Sequence, residues 1–247
     1  MTAPALTLHG VAQRFGAITA LDVPALTIGP GLTAVLGRNG SGKSTLARVL
    51  ATVWPPDVGA LLVDGQPVTE PEVRLDLRRR LGYVAQDNAL PPRMRVAEYC
   101  DYVAVLKEIG PPRRRLQWTH WSLTQVGLVD RASDRIRTLS GGMQRRLAIA
   151  QSLLGSPEVL VLDEPDASLD PEHRHRVTAM MAARGRTSTT VVMTHHPEEV
   201  AAVADRVLVL EQGRVVFDGP PAELAQRGGG SVGAGFGAVV GAFSSLS

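Results

Sequence analysis

The chain has 247 residues, 44% apolar, 20% charged and 4% aromatic, with a formal net charge of +2 and one cysteine, Cys100. That length and apolar content suit one large domain or two closely joined subdomains and exclude disorder for most of the chain. Glycines without a triplet period exclude a collagen-like protein, a lone cysteine excludes an internal disulfide and fits a reducing compartment, and the near-neutral balance gives no reason to expect a nucleic-acid partner.

The first residues lack the basic start and apolar run of a signal peptide. No window holds the roughly 18 uninterrupted apolar residues of a membrane helix, so the chain is expected to be soluble. Short strands are expected at 6–8, 26–28 and 32–36. A glycine-rich turn follows the third, then a helix over about 43–53 with Leu46, Val49, Leu50 and Val53 on one face. Residues 61–63 read as a strand that turns at Asp64-Gly65, since Asp-Gly accepts the positive φ of a tight hairpin. Another short strand is expected at 81–85. From 87 to about 156 the pattern is helical, broken by Pro91-Pro92 and Pro111-Pro112. Strand character returns at 159–162, 190–193, 207–210 and 215–217. Strands alternating with helices predict an α/β fold with a mostly parallel sheet covered on both faces, interrupted by a helical insert. Residues 228–247 hold seven glycines, four serines and no charge, which reads as a flexible tail, with weak membrane contact as the alternative.

Gly37-Arg38-Asn39-Gly40-Ser41-Gly42-Lys43-Ser44-Thr45 lies between the third strand and the first helix, where a Gly-x₄-Gly-Lys-Ser/Thr pattern carries meaning. Its glycines let successive amides converge on phosphate oxygens, and the helix N-terminus adds a positive dipole end. Lys43 is expected to reach the β- and γ-phosphates and the Ser44 hydroxyl to ligate Mg²⁺. Downstream, the apolar run 159–162 ends in Asp163-Glu164, placing two carboxylates at the sheet edge where α/β folds bind ligands. Asp163 is expected to hold Mg²⁺ and Glu164 to polarise an attacking water as general base.

Leu139-Ser140-Gly141-Gly142-Met143-Gln144 falls between the cradle and the acidic strand. In that order the sequence resembles the ATP-binding cassette family, the ATPase subunits of ABC transporters, which carry Leu-Ser-Gly-Gly-Gln there; Met143 stands at the fifth position. The resemblance covers about residues 5–226. It implies a P-loop NTPase (RecA-like) core over 1–88 and 157–226, an N-terminal antiparallel β subdomain, a helical subdomain over 89–156, and a tail over 227–247.

The resemblance further implies that Phe15 stacks on adenine, with an edge-strand packing role as the alternative. It makes Gln86 the glutamine that senses Mg²⁺ and links the core to the insert, the alternative being a solvated loop residue. Ser140, Gly141, Gly142 and Asp170 would then serve the nucleotide of a second subunit, and His195 would contact the γ-phosphate, with His196 beside it. Asp166 and Ser168 stand where the family often has Thr and Gly. The implied function is an ATP-hydrolysing subunit that drives transport through a membrane permease on a separate chain, paired with a second cassette, most simply a copy of itself. It would sit in the cytoplasm, peripheral on the inner face of the cell membrane, with ATP and Mg²⁺ as its ligands. The stretch 93–99 and Met143 look most like exporters of drugs, peptides or polymers.

A soluble ABC-type ATPase acting on a non-membrane partner is the main alternative. A GTPase would need an Asn-Lys-x-Asp motif, which Leu106-Lys107-Glu108 does not supply. A non-catalytic regulator would be expected to lack Glu164 or His195. The runs Arg78-Arg79-Arg80 and Arg113-Arg114-Arg115 read as solvated faces, with anionic headgroups or a permease loop as the other reading. Cys100 is read as packing, and His9, His120, His173 and His175 as surface or packing residues.

Overall fold

The computed structural model describes residues 3–87, 89–195 and 197–245. Strands β1 (Leu6–Phe15) and β2 (Ile18–Ile28) form one long hairpin that turns at Gly16, whose φ is +60°. The sequence had suggested only the far ends of these strands. Then follow β3 (Gly31–Leu36), α1 (Lys43–Leu50), β4 (Val58–Val63), β5 (Gln66–Pro67), α2 (Pro71–Arg80), β6 (Leu81–Val84), α3 (Val96–Leu106), α4 (Pro112–Gln125) and α5 (Gly141–Ser152). The chain continues through β7 (Val159–Asp163), α6 (Pro171–Gly185), β8 (Thr189–Thr194), α7 (Pro197–Ala201), β9 (Arg206–Glu211), β10 (Arg214–Gly219), α8 (Pro221–Arg227) and α9 (Val232–Ser244).

The strands make two sheets. One is antiparallel, in the order β2-β1-β4-β5, and its β4–β5 turn is the expected Asp64-Gly65, at φ +49° and +81°. The other runs β10-β9-β3-β8-β7-β6; only the β10–β9 pairing in it is antiparallel. The expected α/β class, with a mostly parallel sheet and an antiparallel β subdomain, is what the chain forms.

Strand periodicity divides the core. Val159 and Val161 of β7 point into the layer that holds α1 and the antiparallel sheet, while Leu160 and Leu162 point to the opposite layer. That second layer runs without a break into the helical insert through Val96, Cys100, Ala104 and Leu123, so core and insert share one apolar interior. Cys100 is fully buried, which pushes its thiol up to about 12 and fits the packing role expected of it.

Two expectations are corrected. Helix α1 stops at Leu50 because Thr52 turns to φ +56°, so Val53 leaves the apolar face and stands 47% exposed. The segment after 227 is not a flexible tail: Val232 to Ser244 is helix α9, packed on α8, α7, β9 and β10. Val232, Phe236, Val239 and Val240 recur at helical spacing, and the last two are buried. Of the glycines that suggested looseness, Gly235 allows close approach instead, since a Cβ there would lie 1.7 Å from the Leu224 carbonyl oxygen of α8. Glu198 of α7 holds the start of α9 by accepting from the Ser231 hydroxyl and the Gly233 amide, contacts that keep its carboxyl below the usual range.

The first arginine run is tied into the surface throughout, and the second through Arg115, while Arg113 and Arg114 are exposed. Arg78 donates to Thr52, Arg79 pairs with Glu108, Arg80 with Asp76 and Glu158, and Arg115 with Asp101.

Candidate functional site

Strand β3 lies in the middle of the large sheet, and the loop leaving its C-terminal end wraps into α1. Gly37 is required there by space, for a Cβ would sit 2.3 Å from the Ser41 hydroxyl and 2.6 Å from the Leu210 carbonyl oxygen. Gly42 precedes the helix at φ +102°. Lys43 is 5% exposed, and its ammonium donates to the carbonyl oxygens of Gly37 (2.7 Å) and Arg38 (3.0 Å), spanning the loop from inside. Burial lowers the Lys43 pKa, opposed by the charges of Glu164, Asp163 and Glu211.

This loop forms one side of a cavity of about 830 Å³. Gly37, Arg38, Asn39 and Gly40, then Gly42, Lys43, Ser44 and Thr45, line it, facing Phe15, Gln86, Glu164 and His195. Ser41 differs from expectation: it is buried behind the loop, where its amide donates to the Arg38 carbonyl oxygen (3.1 Å). His196 lies outside the described residues.

The acidic pair ends β7. Asp163 is fully buried, and both its carboxylate oxygens are without a hydrogen-bond donor among the described residues, the nearby Ser44 hydroxyl being given to Gln86 Oε1 (3.2 Å). Burial, reinforced by Glu164, raises the Asp163 pKa, with Ser44, Arg145 and Arg48 acting against it. An orphaned buried carboxylate beside a hydroxyl and an amide oxygen is an all-oxygen donor set suited to a hard divalent cation.

Glu164 breaks from the strand at φ +50°, a region that costs on the order of 1–3 kcal/mol for a residue with a side chain. Its amide donates to the Met193 carbonyl oxygen (2.9 Å), which ties the turn to β8. Its carboxylate then lies 3.4 Å from Gln86 Nε2 and 3.5 Å from His195 Nδ1. Gln86 therefore touches both Ser44 and Glu164. Phe15 is 46% exposed at the rim and braced edge-to-face by Trp54 (5.4 Å), over which Arg48 stacks (4.4 Å).

Ser140, Gly142 and Asp170 are elsewhere. They line a separate hollow of about 230 Å³ with Met143 and His173, and Gly141 is exposed next to them. The Ser140 hydroxyl accepts the Met143 amide and caps α5 (3.3 Å). Asp170 caps α6 by accepting the His173 amide (2.9 Å) and its ring nitrogen (2.7 Å), which holds its carboxyl below the usual range.

Sequence reasoning missed three contributors. Trp54 supports Phe15, Phe236 of α9 adds a wall to the cavity, and Arg145 sends a buried guanidinium to the edge where Gln86 and Glu164 emerge. A helical apolar period marks Phe236 in the sequence; nothing there separates Arg145 from Arg146.

The family model described as ABC transporter matches residues 22–167. The phosphonates import ATP-binding protein PhnC of Anaeromyxobacter dehalogenans is 38% identical over 91% of this chain, which spans 47% of that protein's length. The daunorubicin resistance ATP-binding protein DrrA3 of Streptomyces coeruleorubidus is 36% identical over 93% of this chain and 72% of its own length. A dimeric structure of a bacterial ABC transporter cassette superposes with a TM-score of 0.81 at 26% identity, covering 87% of this chain and 98% of that one. The same cassette is also known in a post-hydrolysis state bound to ADP and phosphate, with a TM-score of 0.79.

Proposed function

Since this chain belongs to the ABC transporter family as an ATP-binding cassette, we propose that it hydrolyses ATP between two paired cassettes to drive transport through a membrane permease on another chain. The observation that supports this reading is the separation of two groups of residues. The phosphate loop, Gln86, Glu164 and His195 share one cavity, whereas Ser140, Gly142 and Asp170 line another hollow. A second cassette that presents its Ser140 face to the first chain's cavity would complete each site.

Within one cavity the roles divide by geometry. The loop amides, the N-terminus of α1 and Lys43 hold the β- and γ-phosphates, and Phe15 offers its face to the base. Ser44, Gln86 and Asp163 are the residues that would hold Mg²⁺, which when bound neutralises phosphate charge. Glu164 takes the proton of the attacking water, kept in place by Gln86 and His195 on either side. His195, partly exposed on the cavity wall, is placed to donate to a γ-phosphate oxygen.

Raised by burial, the Asp163 carboxyl favours the folded state at low pH and loses that contribution as pH climbs through its raised pKa. Its ionised form carries the desolvation cost of burial, only partly met by Arg145 and Arg48, and a bound cation would relieve the rest. ATP with Mg²⁺ is therefore expected to raise Tm several degrees more than ATP with a chelator, by mass action on the folded state. Asp163→Asn should remove that difference; a gain that survives in the variant would take Asp163 out of the metal site.

Ser140→Arg is expected to abolish turnover, by about a hundredfold or more, while ATP binding to the single chain is unchanged. Mixing it with Lys43→Ala should restore part of the activity, because a mixed pair holds one site with both faces intact. Normal turnover in Ser140→Arg, or no recovery on mixing, would overturn the shared site.

The curated relatives include import and resistance proteins. The direction we propose is export, supported by Met143 on the capped helix and the stretch 93–99. Association with the cytoplasmic face of a membrane would come through the permease, for among the described residues no helix is long and apolar enough to cross a bilayer.

A further inference from the structure

We infer that Arg145 is a positioning residue for hydrolysis: one guanidinium, anchored on the helix that Ser140 caps, fixes the two chain segments that aim Gln86 and Glu164. The inference rests on the hydrolytic reading above and deepens it.

Arg145 lies in the second turn of α5, and its side chain runs into the sheet edge, 6% exposed. One terminal nitrogen donates to the carbonyl oxygens of Ala85 (2.6 Å) and Gln86 (3.1 Å), and the other donates to those of Asp163 and Glu164. These four acceptors belong to the two segments that carry the cavity's reacting and metal-holding groups.

The strand pairing shows what the guanidinium replaces. The parallel ladder between β6 and β7 runs from Leu81 opposite Val159 to Val84 opposite Leu162 and ends there. The β6–β7 ladder does not continue beyond that point, and Gln86 and Glu164 stand on the two segments that follow, Glu164 still tied to β8 through its amide. Arg145 bridges these segments with a planar fork that serves two acceptors on each side. A lysine in its place would be a point charge without that divided reach.

Glu164 needs the support most. Its left-handed backbone persists only if the surroundings over-determine it. The Met193 carbonyl oxygen holds its amide and Arg145 holds its carbonyl, so both peptide groups flanking the residue are pinned. With the backbone set, the carboxylate falls between Gln86 and His195. Burial lowers the Arg145 pKa, opposed in part by the charges of Asp163, Asp166, Glu164 and Asp87. The same residue joins the helical insert to the acidic strand, so Ser140 and Glu164 share a rigid connection within one chain.

The experiment compares the wild type, Arg145→Lys and Arg145→Gln as full chains, measuring ATP dissociation constants, KM, kcat and thermal unfolding. Because Arg145 does not line the cavity, ATP affinity and KM should stay within about threefold, while misplacement of Glu164 lowers kcat about a hundredfold in Arg145→Gln and at least about tenfold in Arg145→Lys. A variant that binds ATP normally and keeps kcat within about twofold would overturn the assignment. Loss of the folded state in both variants would also overturn it, by making Arg145 a structural strut alone. A wild-type chain whose turnover is untouched by Glu164→Gln would instead sink the hydrolytic reading itself, so the two failures are distinguishable.

Discussion

Lys43→Ala is expected to lower the affinity for ATP by at least about a hundredfold, equivalent to roughly 2.7 kcal/mol. The ammonium is held inside the loop by the Gly37 and Arg38 carbonyl oxygens, so it is already placed where phosphate oxygens would replace or join those acceptors. A hydrogen bond to a charged partner contributes about 1.5–3 kcal/mol, and alanine removes this buried donor outright. The lowered pKa of Lys43 adds a signature. Only the protonated amine serves the phosphates, so wild-type affinity should fall with rising pH at a lower pH than an ordinary lysine would give, and the variant should lose that dependence. Calorimetric titration reads both. Unchanged affinity in the variant would remove the loop from the nucleotide site.

Glu164→Gln is expected to cut turnover by about 10²–10⁴-fold while leaving ATP binding in place. The amide keeps the size and the left-handed turn of the native residue but cannot accept the proton of an attacking water. Nucleotide would then stay bound, and paired cassettes should accumulate. Light scattering with and without ATP and Mg²⁺ should therefore show an ATP-dependent shift from monomer to dimer. A chain that stays monomeric would mean that its partner is a different cassette or that closure needs the permease, and pairing of two identical chains on their own would be abandoned. Turnover near the wild-type rate would transfer the proton-accepting role away from Glu164.

Much of the architecture was legible because the strongest signals are local. The apolar runs at 32–36 and 159–162 each end at the sheet edge, one in the glycine loop and the other in the acidic pair, so the sequence alone locates both halves of the cavity. Ser140 as an N-cap was equally readable, since its hydroxyl serves an amide three residues on. What stayed hidden acts over distance or through the backbone. Arg145 binds only carbonyl oxygens, which every residue carries, so no side-chain pattern announces its partners. Trp54 reaches Phe15 across the space between a loop and a hairpin. In α9 the glycine content outweighed the apolar spacing, although Gly235 is what lets α9 lie against the backbone of α8.

The large cavity takes one wall from Phe15 in the first hairpin and another from Phe236 in the final helix. Bringing these together closes a loop of almost the whole chain, and contacts of that separation form after local hairpins and helices have done so. The cavity is therefore expected to be completed late in folding. A nucleotide bound there recognises only the finished molecule, so it slows unfolding and leaves the rate of folding unchanged.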